Sequence, residues 1–147
     1  MLTVVKMNES KIFSKETNKS VKEVAERIRK KAENYGFIVR YDTDMANEFK
    51  EHGVEVEEGF QYHTIMLCIP KKAYKSVNMN PKRAAMIMPK QVSIYRDNKI
   101  NKTTISFLFI GSDFVKGLLS RDEKIQKSLP ESCNKVVELI MDVVENG

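Results

Sequence analysis

Cys68 is the residue of this sequence whose surroundings are best suited to chemistry. It ends an apolar run, and Pro70 follows at the start of a lysine-rich segment, in the stretch HTIMLCIPKKAYKSV. A thiol beside a helix N-terminus lies at the positive end of the helix dipole, and nearby ammonium groups also favour the nucleophilic thiolate. The pattern predicts a candidate reactive thiol at Cys68. The alternative is packing, because cysteine is among the residue types most often buried.

Positive charge is concentrated around this cysteine. The segment 59–96 contains no Asp or Glu, and its seven basic residues exceed the net charge of +5 of the whole chain. Ammonium groups beside the free amides of a helix start can hold a phosphate or a carboxylate. The alternative is a solvated face that binds nothing specific. The candidate anion-binding residues are Lys71, Lys72, Lys75, Lys82, Arg83 and Lys90.

The remaining chemistry-bearing residues form no catalytic or metal-binding pattern. There is no CxxC or HxxxH spacing, no Gly-rich phosphate loop and no Ser/His/Asp arrangement, so we predict no catalytic residue, no metal site and no cofactor. His63 and Cys68 are five residues apart, which puts them on opposite faces of a regular strand. Asp42 and Asp44 could hold a hard cation, but helix capping explains them as simply. His52 is interpreted as a helix-end residue.

The elements that would position these residues begin with a helix over residues 20–36. Ser20 and Glu23 form a capping box, and Gly36 supplies a left-handed stop. The apolar residues recur on one face at helical spacing. They are Val21, Val24, Ala25, Ile28, Ala32 and Tyr35.

Strands and short helices follow in alternation. The predicted strands are LTVVKMN, FIVRY, QYHTIMLC, QVSIYRDNK and KTTISFLFIG. The last two form a hairpin. The stretch KIFSKET is predicted to be extended or irregular. Short helices are predicted over DTDMANEFKEHGV, over KKAYKSV after Pro70, and over SDFVKGLL. The first is capped by Asp42, Thr43 or Asp44 and ends at Gly53.

A C-terminal helix completes the chain. Pro130 is placed in its first turn, with Ser128 and Glu131 as a second capping box. Cys133 lies within its apolar stripe and is interpreted as a packing residue.

This order, β-α-β-β-β-β-α with short extra helices, predicts a single α+β domain over residues 1–147. We expect two layers, with a mostly antiparallel sheet and helices on one face. Apolar residues on both faces of TTISFLFI suggest that a partner subunit covers the second sheet face.

Composition narrows the class of protein. The hydrophobic fraction of 41% and the charged fraction of 31% are typical of a globular protein. No apolar run approaches the roughly 20 residues that span a bilayer, and no signal peptide is recognised, so we predict no membrane association. Two distant cysteines in such a chain indicate reduced thiols, and we expect a cytoplasmic location.

Four stretches, in order, resemble the domain-of-unknown-function 302 family: GFIVRYDTD, FKEHGV, TIMLCIPKKAYKSV and MIMPKQVSIYRD. The third is similar to the family's Cys-Asn-Pro box, with Ala73 three residues after the proline, and the fourth to its Leu-Pro-Cys box. The resemblance covers roughly residues 20 to 110. It implies a TATA-binding-protein-like α+β fold and a homodimer, and it implies no agreed activity.

Two positions depart from the family pattern. Ile69 stands where the family has asparagine, so the side chain that would cap the following helix is missing. Lys90 stands where the family has its second cysteine, so Cys68 has no partner there. This departure argues against dithiol redox chemistry.

These observations lead to three functional hypotheses. The first is a non-enzymatic homodimeric module that binds a small anionic ligand or partner near Cys68 and the basic segment. The second is a thiol-dependent redox sensor or sulfur-handling protein that uses Cys68. The third is weak nucleic-acid binding, against which stands the lack of an aromatic pattern beyond Tyr74 and Tyr95 in the basic segment.

Overall fold

A sheet of five antiparallel strands is the scaffold of the computed structural model, which describes residues 8–87 and 90–146. The spatial order of the strands is β1-β5-β4-β3-β2, so the sheet is open and β1 and β2 are its edges. In chain order the strands are β1 (Lys11–Thr17), β2 (Ile38–Asp44), β3 (Tyr62–Cys68), β4 (Lys90–Asp97) and β5 (Lys102–Phe109).

Helices connect and cover the strands. They are α1 (Val21–Lys31), α2 (Met45–Glu51), α3 (Pro70–Met79), α4 (Ser112–Leu118) and α5 (Glu123–Glu145), with 3₁₀ turns at Ala32–Tyr35 and Pro81–Ala85. The order confirms the predicted α+β arrangement with short extra helices. None of the helices within the described ranges is long and apolar enough to cross a membrane.

The core lies between one sheet face and the two longest helices. Alternate strand residues point to this face, because side chains of a strand alternate between its two sides. Ile65, Val92 and Ile105 are fully buried there, together with Ile28 of α1 and Ile140 of α5. On the opposite face Ile12 and Leu108, which pair across β1 and β5, remain 69% and 60% exposed. The helices therefore form a layer on one side of the sheet, as predicted.

Capping contacts fix the starts of the first two helices. Ser20 Oγ accepts a hydrogen bond from Glu23 N at 3.0 Å, and Gly36, with φ of 83°, follows the 3₁₀ turn after α1. Asp44 Oδ1 accepts from the amide of Ala46 at 3.0 Å, so Asp44 is the cap among the three alternatives. Gly53 follows α2 with φ of 78°. The predicted Ser20 and Asp44 caps and the glycine stops are confirmed, whereas the Glu23 carboxylate, the second half of the predicted capping box, accepts from Arg27 Nη2 at 3.2 Å.

The C-terminal helix begins earlier than the sequence predicts. Its N-cap is Asp122, whose carboxylate accepts from Ile125 N at 3.2 Å, and the predicted Ser128–Glu131 start is wrong. Pro130 therefore lies inside α5 and not in its first turn. The buried side chains of Ile125 and Leu129 extend the helix toward its N-terminus, and their packing outweighs the cost of an interior proline.

KIFSKET differs from its prediction, and two other predicted stretches lie partly outside the described residues. KIFSKET is the regular edge strand β1, because all seven of its residues pair with residues 103–109 of β5. Of the predicted strand LTVVKMN, residues 2–7 lie outside the described residues, as do Met88 and Pro89 of the MIMP run.

Candidate ligand site between two helices

The junction of β3 and α3 has the geometry that the sequence indicates. Cys68 ends β3 and is half-buried, and Pro70 begins α3. Ile69 occupies the N-cap position with extended backbone and gives no side-chain hydrogen bond. The first helical hydrogen bond is donated by Ala73 N to Ile69 O at 3.0 Å. The helix therefore starts without a side-chain cap, as predicted.

A cavity of about 290 Å³ opens beside this junction, between α3 and the N-terminal part of α5. Cys68 reaches it from β3, and Ala73 and Met79 reach it from α3. Ile125 and Leu129 reach it from α5. Most of the lining is apolar, and its volume is near the lower limit usual for small-molecule sites.

Exposed lysines surround the mouth of this cavity. Lys72 and Lys75 come from α3, and Lys124 comes from α5. Glu131 is the one carboxylate among the described residues that line the cavity. Cations therefore outnumber anions at the opening, and an anionic group entering there meets a favourable field.

Lys90 lies deeper than the other lysines. It is the first residue of β4 and pairs with the fully buried Leu67, so it lies on the face of the sheet toward the helices. Burial lowers the pKa of the Lys90 amine, partly offset by the nearby thiols of Cys133 and Cys68. Within the described ranges no acceptor is recorded for its ammonium group.

Lys72 also stands in an environment that disfavours its charge. Partial burial lowers the pKa of Lys72, and the neighbouring ammonium of Lys135 lowers it further. Glu131 acts in the opposite direction. The two cations from α3 and α5 therefore lie close enough to repel each other, which an incoming anion would relieve.

Arg83 lines the cavity, but a protein carboxylate engages it. Its Nε and Nη2 donate to the two oxygens of Asp122 at 2.7 Å each, and Nη1 donates to Ser76 O at 3.2 Å. The ion pair raises the pKa of Arg83 and holds the pKa of Asp122 far below its usual range. With both side chains nearly buried, the pair joins α3, the following 3₁₀ turn and the start of α5.

The structure thus gathers part of the predicted set. One cavity is lined by five of the predicted residues: Cys68, Lys72, Lys75, Arg83 and Lys90. Lys71 is exposed and does not line it, and Lys82 lines a neighbouring surface depression with Asp122.

Sequence reasoning missed the contribution of α5. Lys124, Ser128, Glu131 and Ser132 complete the lining from a helix far along the chain. The sequence marked Ser128 and Glu131 only as a capping box, and the spacing of all four residues is compatible with a solvated helix face, so no local signal indicated a cavity lining.

The other candidate residues are buried or make contacts within the fold. Cys133 is 1% exposed, and burial raises the pKa of its thiol, as its packing interpretation requires. His63 and Arg29 both contact the carboxylate of Asp42, and the contact with Arg29 is the main cause of its lowered pKa. His52 ends α2 and contacts Glu48 O at 2.9 Å, as expected of a helix-end residue.

Across the described part of the chain, no group of three or more His, Cys, Asp or Glu residues is placed to hold a metal ion.

The fold and the cavity define a class: an open-sheet α+β domain with a basic-rimmed apolar pocket. The model of the family called Domain of unknown function DUF302 matches residues 13–146. The chain belongs to this family.

A solved structure agrees with the fold. It is the crystal structure of an uncharacterized conserved protein DUF302 from Bacillus stearothermophilus, with a TM-score of 0.65 and 16% sequence identity. The similarity covers 91% of this chain and 95% of that chain. No curated protein matches the sequence.

Proposed function

We propose that this protein binds a small organic anion with an apolar part in the cavity between α3 and α5. The cavity carries the proposal, because it combines an apolar lining with an excess of cations at its mouth. Burial of an apolar chain contributes about 25 cal/mol per Å² removed from water, and this supplies most of the affinity. The lysines then select ligands that carry a negative group.

The charge selectivity is modest because the lysines are exposed. Lys75 and Lys124 lie at the mouth, where solvent and salt screen their fields. An exposed ion pair contributes about 0.2–1 kcal/mol. Two such pairs correspond to a preference of about twofold to thirtyfold for an anion over a neutral analogue.

Octanoate and octanol test this selectivity, because they share an apolar chain and differ in charge. We expect octanoate to raise the melting temperature more than octanol at equal concentration, since ligand binding to the folded state stabilises it. The double variant Lys75→Met/Lys124→Met should lose this difference. Thermal shift and calorimetric titration measure both quantities.

A matched control separates the site from net charge. Lys50 and Lys71 are exposed and do not line the cavity, so Lys50→Met/Lys71→Met removes the same charge elsewhere. This variant should retain the preference for octanoate. Equal binding of octanoate and octanol by the natural chain, or equal loss in both double variants, would refute the proposal.

A thiol-dependent function is the second candidate, because half-buried Cys68 lines the same cavity. Iodoacetamide labelling of the native protein tests it, with Cys133 as an internal reference for a buried thiol. We expect Cys68 to react in the native state, octanoate to slow the reaction, and Cys133 to react only after denaturation. Equal protection of both cysteines in the native protein would exclude this function.

A homodimer through the open sheet face is part of the proposal. An isologous interface must match itself, and a face with few charges does so without repulsion. Its central rows carry apolar and hydroxyl side chains, with Ser14 Oγ 3.4 Å from Ser106 Oγ. These rows contain Ile12, Ser14, Ser93, Ser106 and Leu108.

Light scattering on a gel-filtration column tests this assembly. We expect a dimer for the natural chain and a monomer for Ile12→Lys/Leu108→Lys, which places two charges at one cross-strand pair. Leu118→Lys is the control, because Leu118 is 59% exposed on α4 and lies off the sheet. A monomeric natural chain at micromolar concentration would rule out the dimer.

A further inference from the structure

We infer that Lys90 forms an imine with the carbonyl group of a ligand in the cavity, and that the ligand class is an oxo acid with an apolar chain. The inference rests on the proposed function in one respect, since the same cavity holds the ligand. It goes beyond that function by assigning a covalent step to one amine.

The position of Lys90 differs from that of the other lysines at the cavity. Lys75 and Lys124 are exposed, whereas Lys90 leaves the sheet on its core-facing side and is partly buried. Apolar Leu67 is its neighbour on the sheet. No hydrogen-bond acceptor or carboxylate partner for its amine is recorded in the described ranges, so the amine is available to a ligand.

The surroundings lower the pKa of this amine, which increases its neutral fraction relative to that of an exposed lysine. A neutral lysine is the nucleophile, and apolar burial or a second cation activates it. Burial lowers the pKa of Lys90, and Lys72 of α3 lies near enough to interact with it. The thiols of Cys133 on α5 and Cys68 on β3 raise the pKa of Lys90 and so partly offset the effect of burial. Glu131 of α5 interacts with Lys72.

The chemical step is balanced without an oxidant or a reductant. The nitrogen lone pair of neutral Lys90 attacks the carbonyl carbon, and the C=O π electrons move to the oxygen. A proton passes from nitrogen to oxygen and gives a carbinolamine. The nitrogen then gives up its second proton, the hydroxyl leaves with a proton as water, and the nitrogen lone pair forms the C=N bond. The net change joins one amine and one carbonyl compound and releases one water.

The cavity also specifies the rest of the ligand. The exposed side chains of Lys75 and Lys124 line the same cavity as Lys90 and favour a ligand that carries a negative group. The side chains of Ile125, Leu129 and Met79 offer an apolar wall. A molecule that places its carbonyl at Lys90 therefore fits best when it carries a negative group and a short apolar chain.

Reductive trapping tests the imine. The full chain is incubated at neutral pH with 2-oxooctanoate and sodium cyanoborohydride, which reduces C=N to a stable secondary amine. Peptide mass mapping then locates the label. We expect Lys90 to be labelled about tenfold or more faster than Lys71, because a ligand bound in the cavity holds its carbonyl beside the Lys90 amine and Lys71 does not line the cavity. Octanal should label Lys90 more slowly than 2-oxooctanoate, since it lacks the negative group.

Variants and octanoate binding separate the two proposals. Lys90→Met should abolish the label at this position, and Lys71→Met should leave the label at Lys90 unchanged. Octanoate binding without preferential labelling of Lys90 overturns the imine and leaves the proposed function intact. Labelling of Lys90 without octanoate binding supports the imine and overturns anion binding. Because mapping is done on the natural chain, the inference can be rejected even if Lys90→Met does not fold.

Discussion

The two halves of α5 have different roles in this molecule. The C-terminal half, residues 133–145, is closed against the sheet: Val136, Ile140 and Val143 are fully buried in the main core. The N-terminal half, residues 123–132, faces α3 across the cavity, and its buried Ile125 and Leu129 belong to a separate smaller cluster. One helix therefore serves as scaffold at one end and as a wall of the site at the other.

Electrostatics separates the two halves in the same way. In the C-terminal half, Asp142 accepts from Lys31 Nζ at 2.7 Å and from Tyr35 Oη at 2.9 Å. Burial and this hydrogen bond raise the pKa of Tyr35 to about 12. At the N-terminal half, Glu131 is the one carboxylate among the described residues that line the cavity, together with Lys124 and the lysines of α3. Arg83 and Asp122 form a compensated pair at this end too, but the exposed lysines of the cavity outnumber its carboxylates, which supports a ligand role for the open end.

The largest expected effect compares two isoleucines of α5. Ile140→Ala should lower the free energy of unfolding by about 3–4 kcal/mol, because it removes buried methyl groups from a close-packed core. Ile125→Ala should lower it by about 2 kcal/mol, since one side of Ile125 already faces the cavity and has fewer contacts to lose. Urea denaturation of both variants measures the difference. Equal losses would mean that the two halves are packed alike.

The second prediction concerns the ion pair that holds the cavity end together. Arg83→Met should destabilise the protein by about 3 kcal/mol at pH 7, because it leaves Asp122 without its bidentate partner. Arg40→Met, at an exposed position of β2, is the control and should change stability little.

The same pair predicts a pH dependence. The pKa of folded Asp122 lies below its unfolded value near 3.9, so the unfolded state takes up the proton first as the pH falls. The stability from this pair is therefore fully present above about pH 5 and is lost at lower pH. The difference between the natural chain and Arg83→Met should shrink between pH 5 and pH 2 in urea titrations. A constant difference would contradict the assignment of the depressed pKa to Arg83.

The smallest effect is expected at the uncapped start of α3. Lys71→Glu should stabilise the protein by about 0.5–1 kcal/mol, since it replaces a cation by an anion in the first turn and pairs with Lys75 four residues later. Lys71→Met should gain less, because it only removes the unfavourable charge. The shift of the urea midpoint measures both changes. A loss of stability in Lys71→Glu would show that the helix dipole does not govern this end.

Local signals were sufficient for much of the fold. Several features arise from interactions among residues that are near in sequence. They are the Ser20 cap, the turns at Gly36 and Gly53, the proline start of α3 and the hairpin between β4 and β5. The start of α5 was misplaced because Pro130 and Ser128 form a strong local signal, which the packing of Ile125 and Leu129 overrides. Long-range packing is not visible in a local window.

The candidate site was only partly predictable for the same reason. The sequence singled out Cys68 and the basic segment. It could not show that Asp122 would pair with the guanidinium of Arg83, or that Lys124 would line the same cavity as Lys75. These pairs are separated by about 40 to 50 residues, and chain distance of this size carries no geometric information without the fold.

The sequence by itself determined the element order, the α+β class, the uncapped helix start after Cys68 and the excess of positive charge there, because each follows from local chemistry and composition. Only the tertiary structure decided which lysines share a cavity, that Arg83 pairs with Asp122, and that Lys90 is partly buried on the core-facing side of the sheet. The physical reason is that burial and pairing depend on the residues that α5 brings across the chain, and burial lowers the pKa of Lys90.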